Sequence, residues 1–316
     1  MILVTGAMGR IGTAAVAALH ARGVPTRALV PSRCRVPWLA AYDLEYLEGD
    51  YDDGRTLEQA LTGISAVILI ARPTADQVEC QQRVIDACAA RGIGRVVKLS
   101  IAGAADETAL TAAQTTAARW HWRTEQYLLR TATEPCIART GRTMQDLLFQ
   151  VPLILAHHMV VGCQGTGLTA DADARDVGAV LAGLATTAVP PKDPVLVTGP
   201  VALSRAEMTA QLSQALGLAL RYVPCTSLEL EQMLLAAGIS RWQVEDLVSY
   251  ETSARDGRWS SVTDAVLQWT GRPARRLDAF ANELGMSLRY QHGIGTPDPL
   301  VGTTGGALPT PAAPLR

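Results

Sequence analysis

Apolar runs alternate with amphipathic segments along the first half of the chain. The runs MILVT, TRALV, LEYLEG, AVILIA, RVVKLS and PCIAR have the length of buried strands, and helices are predicted near residues 11–22, 55–62, 76–91 and 107–132. This alternation predicts an α/β fold in which helices cover both faces of a doubly wound parallel sheet. In that architecture ligands bind at the carboxyl ends of the strands.

From about residue 142 the alternation of strands and helices gives way to longer helices, although a strand-like run, PVLVTG, occurs at 194–199. Capping boxes open three later helices, pairing Ser204 with Glu207, Thr226 with Glu229, and Ser240 with Gln243. We therefore predict a first domain over 1–150 that also contains the return strand near 194–199, a smaller and mostly helical lobe over 151–290, and a substrate crevice between them. The Gly- and Pro-rich tail, 293–316, is expected to be extended or stabilised by a partner.

Glycines recur between the first strand and the first helix, in VTGAMGRIG. A helix start carries unpaired N–H groups and partial positive charge, which suit an anion such as a pyrophosphate. Gly6 would allow the tight turn, Gly9 the approach of the phosphates and Gly12 close packing of the helix. An ordinary Gly-rich turn is the alternative interpretation.

The composition and net charge of the chain exclude some classes of function. The chain has 316 residues, of which 48% are hydrophobic and 18% charged, and its formal net charge is −2. These values argue against nucleic acid or an anionic membrane as the main partner, and no apolar run reaches the roughly 18 residues of a membrane span. The six cysteines lack metal-ligand spacing, so we expect reduced thiols, no metal and a cytoplasmic protein.

Six segments together resemble the NmrA-like branch of the atypical short-chain dehydrogenase/reductases. They are VTGAMGRIG, LEGDYDDGRTLEQALTGISAVILI, HWRTEQYLLR, ARTGRTMQDLL, DARDVGAVLAGL and WTGRPARRLDAFA, and they span residues 1 to about 290. The resemblance implies a Rossmann-type NAD(P)-binding domain with a small C-terminal lobe. Members of this branch include NAD(P)H-dependent quinone and enone reductases, and also regulators that bind the cofactor without turnover. The cofactor residues expected on this basis are Gly6, Met8, Gly9, Arg10, Ile11, Gly12, Asp50, Tyr51, Ala71 and Arg72.

The segment after the second strand bears on the choice of nicotinamide cofactor. It reads ALVPSRCR, without the carboxylate that usually holds the ribose hydroxyls of NAD. Arg33 and Arg35, joined by Arg10, could instead meet the 2′-phosphate of NADP, so NADP(H) is favoured over NAD(H). Pro31 occupies the position where the family usually has an Arg. The alternative interpretation is that these arginines are ordinary surface residues that do not bind the cofactor.

The Tyr and Lys pair of typical short-chain dehydrogenases is absent, because none of the seven tyrosines has a Lys four residues later. His121 and Glu125 lie one turn apart, and the H-x-x-T-E pattern is similar to the quinone-reductase part of the family. We expect His121 to act as the proton donor and Ser100 to bind substrate or ribose. A surface His paired with Glu125 is the alternative, and Lys98 is expected to be structural or to extend toward solvent.

An apolar and aromatic wall suited to a flat substrate is expected from four residues, Trp120, Trp122, Met144 and Leu148. His157 of LAHHMVVG is a further candidate for the cleft, since adjacent histidines on a helix cannot both face it. Core residues between the lobes are the alternative interpretation of the same positions.

Three functions remain open on the sequence. The leading hypothesis is an NAD(P)H-dependent reductase of a conjugated carbonyl, quinone or polycyclic aromatic molecule, with secondary metabolism as the candidate context. The second is a non-catalytic, redox-sensing NAD(P)-binding regulator with a protein partner, and the third is a redox-neutral cyclase or isomerase on the same fold. A homodimer is a further possible assembly.

Overall fold

A seven-stranded parallel sheet forms the centre of the computed structural model, which describes residues 1–31, 41–42, 44–50, 53–71, 74–104, 115–131 and 134–292. The strand order is β3-β2-β1-β4-β5-β6-β9, so the connections reverse direction beside β1, as in doubly wound folds. The predicted fold class is confirmed. The sheet strands are β1 (Ile2–Val4), β2 (Thr26–Val30), β3 (Glu45–Glu48), β4 (Ala66–Leu69), β5 (Arg95–Ile101), β6 (Glu134–Thr140) and β9 (Val195–Val197).

Helices cover both faces of this sheet. One face packs against α1 (Arg10–Ala21), α6 (Ala174–Thr186) and α10 (Ala265–Thr270), and the other against α2 (Gly54–Ala60), α3 (Gln77–Ala90) and α4 (Thr116–Leu129). The contact between α1 and α6 is close because Gly178 has no side chain. A Cβ there would lie 2.5 Å from the backbone nitrogen of Ala15.

The C-terminal lobe has its own apolar core, formed by residues such as Met144, Ile154, Leu212 and Phe280. Its elements are a 3₁₀-helix (Met144–Gln150), α5 (Val151–His157), β7 (Met159–Gly162), β8 (Leu168–Thr169), β10 (Leu203–Ser204), α7 (Arg205–Leu216), β11 (Arg221–Pro224), α8 (Ser227–Ala236), α9 (Arg241–Arg255) and α11 (Leu277–His292). Strand β7 pairs with β11 in parallel, and β8 pairs with β10 in antiparallel orientation.

The strand predicted to return near 194–199 is β9, which pairs with β6, but helices beyond residue 150 also pack on the sheet. Helix α6 and strand β9 return from the second half to the sheet, and their apolar side chains join the core beneath α1. Helix α10 also packs on the sheet, so only the other parts of 151–290 form the separate lobe. The chain therefore crosses between the two cores more than once, which brings segments distant in sequence to the sheet's carboxyl edge.

Local signals account for several element boundaries. The capping boxes at Ser204 and Thr226 form both of their hydrogen bonds. Ser240 precedes α9 but donates to Gln243 Oε1 at 2.6 Å and makes no side-chain bond to the helix backbone. The predicted helix 107–132 is present as α4, with Thr115 accepting from Ala118 N, while residues 105–114 and the tail 293–316 lie outside the described ranges.

Within the described ranges, no helix is long and apolar enough to cross a membrane, and no His, Cys, Asp and Glu side chains gather in a way that would hold a metal ion. Four cysteines are buried free thiols, at positions 80, 88, 136 and 163, and Cys225 is half-buried. Cys34 lies among the residues that the structure does not describe.

Candidate active site

The turn after β1 requires glycine at two positions. Gly6 has a φ of 62°, and a Cβ there would lie 2.7 Å from the carbonyl oxygen of Ile70. A Cβ on Gly12 would overlap the carbonyl oxygen of Gly6 and the backbone of Ala7. Gly9, the N-cap of α1, lies in open space apart from Gly6 O at 3.4 Å, so its backbone can be approached closely.

The first turn of α1 has the geometry of an anion site. The backbone N–H groups of Arg10, Ile11 and Gly12 have no acceptor in the described part of the chain, and no side chain caps the helix. Such groups bind phosphate oxygens directly. The loop after β4 is held beside them because Thr5 Oγ1 donates to Ile70 O and accepts from Ile70 N, both at 2.9 Å. Ala71 follows in that loop, so these residues fit a dinucleotide pyrophosphate.

Other predicted cofactor residues have different surroundings. The side chains of Met8 and Ile11 pack against the core, so they could offer only backbone groups. Asp50 follows β3 and is half-buried. Arg33, Tyr51 and Arg72 lie outside the described residues.

Arg10 points away from the end of β2. Its guanidinium donates to Gln145 O at 3.2 Å and lies over the Phe149 ring, 5.6 Å from the centroid. The expectation that Arg10 joins Arg33 and Arg35 at a 2′-phosphate is therefore not supported. Its side chain connects the Gly loop to the C-terminal lobe instead.

A buried ion pair links α4 to the sheet. Both oxygens of the Glu125 carboxylate accept from Arg139, at 3.0 Å from Nε and 2.5 Å from Nη2. Ser100 Oγ donates to Glu125 Oε1 at 2.5 Å and is fully buried. A contact of Ser100 with substrate or ribose stays a prediction that this geometry does not support, because the hydroxyl is enclosed and bonded to Glu125.

Lys98 and His121 form a second pair on the same face of the sheet. Lys98 Nζ lies 2.9 Å from His121 Nδ1 and donates to Leu99 O at 3.0 Å. Burial lowers the pKa of Lys98 to about 7, with Glu125 opposing and Arg139 adding to that shift. Burial is the larger cause, and the charge of Lys98 the smaller, of a His121 pKa that lies well below its usual value. The alternative of a His121–Glu125 surface pair is wrong, because His121 contacts Lys98 of β5 and Glu125 contacts Arg139 of β6. A Lys98 side chain that extends toward solvent is also wrong, because the residue is fully buried.

The predicted aromatic wall is not assembled as one surface. Trp120 packs edge-to-face on Trp242 of α9, with ring centroids 5.2 Å apart. Trp122, two residues later on the helix, lines a surface groove between α3 and α4 with residues such as Gln82 and Arg130. Two residues advance a helix by about 200°, so the two indoles face opposite sides.

Met144 and Leu148 belong to the core of the C-terminal lobe, which agrees with the alternative interpretation for them. His157 is exposed as the last residue of α5, and His158 caps that helix in the left-handed conformation with a φ of 52°. In the described part of the chain, His157 does not line the lobe's pocket beside Met144 and Asp171. The prediction of a cleft-facing His157 is therefore not supported.

Another pair of aromatic residues reaches the sheet's carboxyl edge. Tyr250 and Trp259 stack with centroids 5.3 Å apart and an interplanar angle of 7°. A Cβ on Gly141, directly after β6, would lie 2.9 Å from Tyr250 Oη, and one on Gly103, after β5, would lie 3.5 Å from the Trp259 ring. The C-terminal lobe thus contacts two strand-end loops through these rings, which sequence analysis did not single out.

Buried polar groups fix these rings in place. Tyr250 Oη accepts from Arg142 N at 3.1 Å and donates to Asp171 Oδ1 at 3.3 Å. Glu251 accepts from Arg142 at 2.6 Å and from Arg205 at 2.7 Å. Burial raises the pKa of Glu251, but the two guanidinium groups outweigh it, so the net shift is downward and the carboxylate stays ionised.

Comparisons with known proteins agree with this arrangement. The NAD(P)H-binding family model matches residues 6–148, which include the Gly loop, β5 and α4. An NAD(P)H azoreductase of Xenophilus azovorans is 30% identical over 281 residues, covering 89% of this chain and 96% of that protein. The chain belongs to the NmrA-like branch of the atypical short-chain dehydrogenase/reductases. The resemblance predicted from its motifs is confirmed.

Two further members of the group extend the comparison. A (4-alkanoyl-5-oxo-2,5-dihydrofuran-3-yl)methyl phosphate reductase of Streptomyces griseus is 31% identical over 277 residues. The match covers 87% of this chain and 94% of that protein. The crystal structure of an NADPH-dependent quinone oxidoreductase of Escherichia coli, complexed with NADPH, superposes with a TM-score of 0.80 at 23% identity. The superposition covers 90% of this chain and 99% of the Escherichia coli protein, which shows that the two share a fold.

Proposed function

We propose that this short-chain dehydrogenase/reductase uses NAD(P)H to reduce a conjugated carbonyl, a quinone or a related aromatic substrate, with His121 as the proton donor. The related proteins named as azoreductase and quinone oxidoreductase act on substrates of this kind. When bound, the cofactor supplies hydride. The N–H groups at the start of α1 and the loop at Ala71 would hold its phosphates.

The observation that carries this proposal is the position of the His121 imidazole. Its Nδ1 is held by Lys98 at 2.9 Å, while Nε2 has no partner in the part of the chain that the structure describes. The side chain is only partly buried, and His121 lies in the helix segment where the family's usual Tyr is missing. An imidazole N–H can donate to the oxygen that gains charge as hydride reaches the substrate carbon.

A turnover assay tests this function directly. Purified protein with NADPH and a panel of quinones, enones and azo compounds should consume cofactor. His121→Ala should lower kcat roughly 10²- to 10⁴-fold, the usual contribution of a general acid, with little change in NADPH affinity. His121→Gln, which keeps an N–H donor, should fall between the two. Tight NADPH binding without turnover on any substrate would instead favour the regulator.

We also propose that NADPH is preferred over NADH. The support is the segment PSRCR after β2, which offers two arginines and no carboxylate near the expected ribose position. A homodimer or a regulatory protein partner stays a prediction, and light scattering of the purified protein would test the former.

A further inference from the structure

Lys98 is a buried cation with few partners. This residue of β5 is fully buried. Among the described residues, its Nζ bonds only Leu99 O and His121 Nδ1. An ammonium group has only donors, so Nδ1 must accept. The imidazole proton is thereby placed on Nε2, the nitrogen that is free to meet a substrate.

The charged groups around this pair are few and already engaged. Glu125 from α4 and Arg139 from β6 are bonded to each other, and they shift the pKa of Lys98 in opposite directions. With burial dominating, that pKa is about 7, so Lys98 can hold or release a proton near neutral pH. His121 is neutral under the same conditions because its pKa is depressed, so it cannot supply a net proton by itself.

Elements packed against α4 contribute no other charged partner to the pair among the described residues. On α3, Asp86 accepts from Tyr127 Oη at 2.6 Å. On α9, Asp246 accepts from Ala117 N at 3.4 Å. Both acids are bonded elsewhere, so Lys98 is the ionisable group directly linked to the imidazole.

We propose that Lys98 is the proton source behind His121, passing a proton to Nδ1 as Nε2 gives its own proton to the substrate oxygen. This inference rests on the proposed reductase function. Lys98 is a positioning residue in this scheme, since it acts through His121 and does not touch the substrate. The missing Tyr and Lys pair would place a proton donor and a cation together on a helix. In this protein the cation beside the donor, Lys98, comes from a strand.

The step balances in atoms and electrons. Hydride from NAD(P)H brings two electrons to the substrate carbon, and the π electron pair of the conjugated carbonyl moves to its oxygen. The O–H bond forms as the Nε2–H bond breaks, and the Nδ1–H bond forms as an Nζ–H bond breaks. The substrate is reduced by two electrons, the nicotinamide is oxidised by two, and Lys98 is left neutral. After product leaves, water returns a proton through Nε2.

Activity measurements with Lys98→Met test the relay. Methionine keeps much of the length of the side chain and removes the charge. Because general acids usually contribute 10²- to 10⁴-fold, we expect kcat to fall about 10²-fold with KM little changed. Wild-type kcat should decline as pH rises through about 7, where Lys98 loses its proton, and the variant should lack that limb. Lys192→Met, which removes the exposed second lysine, is the matched control and should behave as wild type.

Lysine titration gives a readout that needs no activity. The chain has only two lysines, Lys98 and Lys192, so protein labelled at lysine Cε yields two assignable NMR signals. The Lys98 signal should titrate near pH 7 and move in His121→Ala, whereas the signal of the exposed Lys192 should be the same in both proteins.

The outcomes separate the two proposals. Wild-type turnover with an unchanged rate and pH profile in Lys98→Met would overturn the relay and leave the reductase function intact. A Lys98 signal that shows no titration near pH 7 would overturn the relay, because Lys98 would then have no proton to exchange with His121 at neutral pH. Wild-type protein without turnover on any substrate would overturn the proposed function and the relay with it, whatever the NMR signals show.

Discussion

Glu125 and Arg139 hold each other in a two-point contact across the interface between α4 and β6, and the carboxylate is 1% exposed. The pair fixes the rotation of α4 about its axis, because Glu125 can reach β6 from only one helix face. His121 lies one turn earlier on the same face and is thereby directed at Lys98. The ion pair is thus the structural support of the candidate active site.

Removing the charge of Glu125 should destabilise the fold. Glu125→Gln leaves the Arg139 guanidinium without its anion, and breaking a buried pair typically costs about 3–5 kcal/mol. Urea denaturation measures the free energy of unfolding. Glu231→Gln, at an exposed pair with Arg241, is the control and should leave the midpoint almost unchanged. Equal effects of the two substitutions would contradict the supporting role of Glu125.

The Gly loop offers a sharper test of cofactor binding. Gly12→Ala puts a methyl group into the Gly6 carbonyl and the Ala7 backbone, so the turn must open and the N–H groups of α1 must shift. We expect NADPH affinity to fall more than about tenfold, because those N–H groups hold the phosphates. Gly54→Ala, at the start of α2 where no atom lies within 4 Å of the added Cβ, should bind as wild type. Fluorescence titration measures both, and circular dichroism checks that the variants fold.

The Gly loop and the parallel sheet could be predicted from sequence because both are encoded locally. Three glycines within seven residues and a strand-like run before them specify the turn, whatever the rest of the chain does. The two-residue and 3.6-residue periodicities likewise belong to single elements. The strand pattern at 194–199 predicts the return of β9, whereas the packing of α6 on the sheet is a property of topology that its own helical pattern does not reveal.

The side-chain pairs of the site could not be predicted by the same means. The i, i+4 rule offers Glu125 as a partner for His121, but this rule applies to a solvated helix surface. Helix α4 buries that face, so each side chain takes a partner from a strand, 23 residues away for His121 and 14 for Glu125. Tyr250 and Arg142 are 108 residues apart, and only the docking of α9 on the loop after β6 joins them. The presence of just two lysines was the one available signal for Lys98.

Cofactor selectivity separates two arginines that the sequence grouped together. Arg33→Ala should weaken NADPH binding and leave NADH binding unchanged, since only the 2′-phosphate contact is lost. Arg10→Ala should leave the ratio of the two affinities as in wild type, because the Arg10 guanidinium is directed at Gln145 and Phe149. Titration of both variants with both nucleotides decides the matter. A selectivity loss confined to Arg10→Ala would reverse the assignment.

The stability of the wild type relative to Lys98→Met should depend on pH in a direction set by the buried amine of Lys98. The pKa of Lys98 is about 7 in the folded protein and near 10.5 in the unfolded chain, so between these values the unfolded chain binds more protons. Stability contributed by this group therefore rises with pH across that window. Below about 7 both states are protonated, and the wild type carries the full cost of a buried cation.

Lys98→Met removes that cost at every pH, and replacing a buried charge with an apolar side chain of similar size is often neutral or stabilising. Near pH 7 we therefore expect the variant to unfold at or above the wild-type temperature. As pH approaches about 10 the wild type gains on it, because folded Lys98 is then neutral and the unfolded amine is still largely charged. Thermal unfolding of the two proteins from pH 6 to 10, with Lys192→Met as the control, measures the change. A difference in Tm that stays constant over this range would mean that Lys98 keeps an ordinary pKa in the folded state.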